Sequence, residues 1–153
     1  MRSLYVGRQL RNAVELRAWA KALGFRYLLR SADLHITVAV GLLDIGRRPV
    51  GADEGDLLVE GGQRRLMRLD HGFIGLRFES LQLLQRRNAL LRAGLHIPVC
   101  RYRPHITFAY RPSIDLSAAT AFYGPLNFAP EFVRPDMCDI ASQPGGKALP
   151  TVR

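Results

Sequence analysis

A chain of 153 residues, 48% hydrophobic and 23% charged, has the size and balance of one globular domain that buries roughly two-thirds of its unfolded surface. No apolar run nears the ~20 residues of a membrane span, no signal-peptide pattern follows Met1, and Cys100 and Cys138 are too few for a disulfide framework, so a reducing, cytoplasmic setting is expected. The net charge of +9 suits an anionic partner such as a nucleotide or nucleic acid, yet all but two of the 22 basic residues are arginines scattered along the chain, as compositional bias would also leave them.

Ser3–Gly7 reads as the first strand. Asn12 can cap a helix, with Glu15 completing a capping box, and Leu16, Trp19 and Leu23 form one apolar stripe before Gly24 stops it. A strand is expected over 34–42. A loop at 47–56 and strands near 57–59 and 65–69 follow. Residues 73–78 read as a strand, Ser80 as an N-cap, Leu81, Leu84 and Leu91 as the stripe of a second helix, and Gly94 as its end. The next strand runs from Arg103 to Tyr110. A short helical piece at 116–121, a strand at 126–129 and a loose tail at 142–153 complete the chain.

Subtraction exposes an internal repeat. Leu4 and Ile74, Gly24 and Gly94, His35 and His105, and Thr37 and Thr107 are each 70 residues apart. Strand, helix, glycine and a His-Ile-Thr-x-Ala strand recur in the same order. A duplication over about 3–42 and 73–112, within one domain of residues 1–141, predicts a pseudo-two-fold axis that turns the two motifs toward one cleft.

Alternation along a strand puts His35 and Thr37 on one face and Leu34, Ile36 and Val38 on the other. His105 and Thr107 likewise oppose Ile106 and Phe108. Two imidazoles in one cleft can serve as general base and general acid, because imidazole takes up and releases protons near neutral pH. Each threonine adds a hydroxyl donor, so a phosphodiester there could have one His deprotonate an attacking hydroxyl and the other protonate the leaving oxygen. An arginine, Arg8 or Arg103, could offset the phosphate charge. A single strand histidine is more often structural, but two related by a repeat reverse that weighting. Zinc is disfavoured, since His71 and His96 add no close ligand spacing. No cofactor is required. The alternating-histidine signature of histidine-triad hydrolases is absent.

Duplicated HxT motifs on strands resemble those of the 2H phosphoesterase superfamily. The stretches LYVGRQL, AWAKALGF, DLHITVAV, LRFES, RYRPHITFAY and YGPLNFAPEFV are similar to its phage anti-CBASS phosphodiesterase branch, over residues 3 to 134. That resemblance implies an α+β bilobal fold, two antiparallel sheets related by a pseudo-two-fold axis with helices outside and a central cleft. It implies metal-independent hydrolysis of cyclic di- and trinucleotide signals of bacterial antiviral defence, in the host cytoplasm, with no membrane or stable nucleic-acid partner. His35, Thr37, His105 and Thr107 fill the catalytic positions by that likeness. Tyr5 matches an aromatic residue the branch places beside the site, and Glu131 matches a glutamate downstream of the second motif that assists catalysis, so both are expected at the substrate. The branch also stacks nucleobases on aromatic side chains; Tyr102, Tyr123 and Phe132 are candidates, whereas the stripe makes Trp19 a core residue. Processing of RNA ends or 2′,3′-cyclic mononucleotides is the alternative chemistry. A non-catalytic nucleotide binder or a phage structural domain is the alternative class.

Overall fold

A computed structural model describes residues 1–48 and 50–135. The expected tail, Cys138 and the last residues of the expected domain lie outside the described residues. Among these, seven strands and two α-helices form: β1 (Arg2–Leu10), α1 (Ala13–Leu23), β2 (His35–Leu43), β3 (Leu57–Val59), β4 (Arg64–Arg68), β5 (Phe73–Phe78), α2 (Leu81–Arg92), β6 (His105–Tyr110) and β7 (Leu126–Pro135). The sheet order is β3-β7-β1-β2-β6-β5-β4, every pair antiparallel. The two expected lobes are continuous at their seam, where a single register pair, Ile36 with Ile106, joins β2 to β6. None of these helices is long and apolar enough to cross a membrane.

The repeat is visible in the hydrogen-bond register. Val6 pairs with Ala39 and Gly7 with Thr37; Ile74 pairs with Ala109 and Gly75 with Thr107. In both hairpin-like pairs the HxT strand therefore carries one extra residue, Val38 or Phe108, a β-bulge that turns the following alanine inward too. Val38, Ala39, Phe108 and Ala109 are all buried. This corrects one equivalence: Ile74 matches Val6, not Leu4. The first strands are 68 residues apart and the later ones 70. Two more residues separate Ser80 from Gly94 than separate Asn12 from Gly24.

The helix ends follow their residues. Gly24 and Gly94 adopt φ of 102° and 98°, the left-handed region glycine enters freely, and their N–H groups return to Lys21 and Leu91. Ser80 accepts from the Leu83 N–H, a cap worth about 1 kcal/mol. Asn12 differs from expectation. Its side chain does not cap α1 but accepts from the Asn127 N–H and donates to the Pro125 carbonyl, tying the helix start to β7.

In α1, Ala13, Leu16 and Ala20 are buried, and Trp19 packs on Phe25, Phe108 and Phe122 as a core residue. In α2 the expected stripe is wrong: Leu81, Leu84 and Leu91 are exposed, while Leu83, Arg87 and Leu90 face the core. Residues 116–121 form only a turn, because the Asp115 carboxylate captures the Ser117 N–H and hydroxyl. The strand expected at 126–129 continues to Pro135, pairing with β1 along its length. After each helix the chain crosses to the opposite lobe: Leu28 bridges Ala109 on β6, and His96 bridges Leu42 on β2. One apolar core gathers Val6, Leu16, Ile36, Leu76, Leu90 and Ile106.

Candidate active site

His35 opens β2 and His105 opens β6, and both rings are held the same way. His35 Nδ1 lies 2.7 Å from the Asp33 carbonyl, and His105 Nδ1 lies 2.9 Å from the Arg103 carbonyl. A carbonyl can only accept, so each Nδ1 carries the proton and each Nε2 is left as the working nitrogen. Both contacts are to the residue two positions back, a local bond that the strand entry itself provides.

The seam sets the motifs together. Ile36 and Ile106 are fully buried partners across β2 and β6. Alternation then turns His35, Thr37, His105 and Thr107 to the opposite face, and in antiparallel register each histidine falls across from the other motif's threonine. All four are partly buried. They form one polar group over a closed apolar layer.

Around Thr37 the supports are specific. Tyr5 and Thr37 share a 2.6 Å hydroxyl–hydroxyl bond, and the Tyr102 hydroxyl donates to the Thr37 carbonyl at 2.8 Å. Burial pushes the Tyr102 phenol above its ordinary pKa, so it stays a donor. Tyr5 also meets the His35 ring edge-on and stacks on Phe132, with the Arg134 guanidinium 5.0 Å from both Tyr5 and Phe132. His35, Phe132 and Arg134 line a cavity of about 290 Å³ with Gln9 and Asp33. Gly7, opposite Thr37, is the floor of this stack: a Cβ there would come within 2.7 Å of both the Tyr5 and Phe132 rings.

Two expected residues are elsewhere. Arg8 alternates away from Tyr5, Gly7 and Gln9 and is 3% exposed. Its guanidinium donates to the Gly55 and Ala129 carbonyls and to Asp53. Glu131, its partner on β7, has a fully buried side chain that accepts from Arg86 and from the Asp53 N–H. Together they clamp the segment around Asp53 and tie α2 to β7. Arg103 is exposed and reaches the group through its carbonyl. Tyr102 packs under Arg87 rather than offering a face, while Tyr123 is 60% exposed. Sequence reasoning missed Arg134 and Gly7; the alternation Arg134, Phe132 opposite Tyr5, Gly7 was the available signal.

Comparison with known proteins supplies a family for this chain. Residues 2–142 match the family model of the anti-CBASS protein Acb1. Two curated proteins described as anti-CBASS protein Acb1 are similar: one from Caulobacter sp. (strain RHG1), 36% identical over 146 residues, and one from Sphingomonas paeninsulae, 35% identical over 139. The matched regions cover 90% and 85% of this chain but only 23% and 22% of those proteins, so the chain spans under a quarter of their length. The crystal structure of a phosphoesterase shares the fold, with a TM-score of 0.58 at 16% identity over 87% of each chain.

Proposed function

The chain belongs to the anti-CBASS protein Acb1 family, and from that premise we propose that it is a metal-independent phosphodiesterase that opens the 3′–5′ bonds of cyclic di- and trinucleotide signals and so counters CBASS immunity. The observation that carries this reading is the matched pair of histidines, each with Nδ1 committed to a carbonyl and Nε2 without a hydrogen-bond partner among the described residues, on the face shared with two threonines.

In the proposed reaction one Nε2 accepts the proton of a ribose 2′-hydroxyl as its oxygen attacks the adjacent phosphorus. The other imidazolium delivers its Nε2 proton to the departing 5′-oxygen. The 2′,3′-cyclic phosphate so formed is then opened by water, with the two histidines exchanging roles. Thr37 and Thr107 donate to the non-bridging oxygens, where charge builds as the phosphorus is attacked. Tyr5 fixes the Thr37 hydroxyl, and the exposed Arg103 offsets the phosphate charge. No group of three or more His, Cys, Asp or Glu that could hold a metal ion gathers among the described residues, and this proton transfer asks for none.

A panel of cyclic mono-, di- and trinucleotides and an RNA with a 2′,3′-cyclic phosphate end, read by mass spectrometry in excess EDTA, tests the proposal. Linearised cyclic oligonucleotides are expected. Turnover of the RNA end alone, or activity lost to EDTA and restored by a divalent ion, would contradict it.

A further inference from the structure

The two halves repeat each other in strands, bulges and glycines but not in charge. Across from His35 stands Gln9, whose amide donates to the carbonyls of Ser31, Ala32 and Leu34. Across from His105 the same position holds Arg77, and one strand further out, on β4, Arg77 faces Arg65. Like charges directly opposed on neighbouring strands repel. Neither arginine takes part in an ion pair among the described residues.

Arg65 and Arg77 line a cavity of about 580 Å³ together with Arg101, from the loop that enters β6. Glu79 is the one carboxylate on its described wall. Another wall, Tyr123, is fixed: the buried Arg64 donates to the Gly61, Val59, Phe122 and Gly124 carbonyls and so pins the 122–124 segment against β4. The volume is that of a small-ligand site. Guanidinium groups without carboxylate partners favour phosphate, which accepts from their planar N–H forks. Because Arg77 is the cross-strand neighbour of His105, an anion here sits one strand from the histidine pair.

We propose that this pocket is a phosphate subsite that holds a second phosphodiester of the substrate, on the His105 side of the bond being cut. The assignment rests on the cyclic-oligonucleotide reading above. A cyclic dinucleotide fills both the histidine group and the arginine pocket, whereas a 2′,3′-cyclic mononucleotide fills only the first.

The test uses Arg65→Gln, Arg101→Gln and the double variant, both side chains being exposed. Calorimetric affinity and turnover are measured for a cyclic dinucleotide and for 2′,3′-cyclic AMP. The dinucleotide-to-mononucleotide affinity ratio is expected to fall about tenfold per arginine, the loss of one charge-assisted contact each. An unchanged ratio overturns the subsite, and normal turnover in the same samples would leave the enzymatic reading standing. A dinucleotide bound with the expected arginine dependence but never cut supports the subsite and sinks the enzymatic reading instead. Failure of the unaltered chain to bind the dinucleotide while it cuts the mononucleotide overturns the subsite.

Discussion

At the residue scale, the proposed chemistry turns on which nitrogen of each imidazole is spent on structure. Both Nδ1 atoms bond a carbonyl two residues back, so neither ring needs a distant partner to choose its tautomer. Replacing His35 or His105 by alanine is expected to cost ~10²–10⁴-fold in turnover, the usual share of a general acid or base, with the fold kept. The double variant should be little worse than either single one, since the pair works as a unit. Near-normal turnover from His105→Ala would refute the acid–base pair. Gly7 is a different kind of residue. Its missing side chain lets Tyr5 and Phe132 lie over the strand, and Tyr5 in turn holds the Thr37 hydroxyl. Gly7→Ala should therefore displace Tyr5 and lower kcat more than it raises KM. Crystallography of the variant, showing the Tyr5–Thr37 bond intact beside reduced kcat, would reject that explanation.

At the scale of elements, the His-Ile-Thr-x-Ala repeat turns out to encode a bulge as well as a pair of catalytic candidates. Histidine and threonine alternate outward, isoleucine seals the seam, and the last two residues both turn inward because the strand gains a residue there. Alternation and glycine punctuation made the strands and helix limits readable. They could not reveal α2's inner face, where Arg87 is buried by packing its guanidinium over Tyr102, a contact between residues 15 apart that no apolar count registers. Nor could they place Glu131, which looks like a loop carboxylate after Pro130 yet lies in the middle of β7. There it serves Arg86 of α2, the Asp53 N–H and, at 3.9 Å, Arg8 of β1. Glu131→Ala leaves two guanidinium groups without this carboxylate, a loss of about 3 kcal/mol for a broken buried pair. That corresponds to a melting temperature lower by roughly 10 °C for a chain of this size. Calorimetry checks it: an unchanged melting temperature with activity abolished would assign Glu131 to the reaction rather than to the clamp.

At the scale of the whole molecule, duplication supplies two equivalent histidines, and divergence makes the surroundings unequal. The His35 half presents Tyr5, Phe132 and Arg134, while the His105 half presents arginines that form no ion pair among the described residues. On the proposed function, a substrate crossing the seam would meet an aromatic side and a basic side, which would fix its direction and hence which hydroxyl meets which histidine. The identity of the nucleophile follows as the decisive question. If the ribose 2′-hydroxyl attacks, a cyclic dinucleotide lacking it keeps its phosphates and bases, so it should bind with nearly unchanged affinity and yet resist cleavage. A bond formed through the 2′-oxygen has no vicinal 2′-hydroxyl and should resist as well. With a normal substrate the early product should carry a 2′,3′-cyclic phosphate, one water lighter than the final linear phosphate, and mass spectrometry of quenched time points distinguishes the two. Cleavage of the 2′-deoxy analogue at a comparable rate would mean that water attacks directly. One histidine would then activate that water and the other would still protonate the leaving oxygen, so the pair would survive a result that removes the hydroxyl from the mechanism.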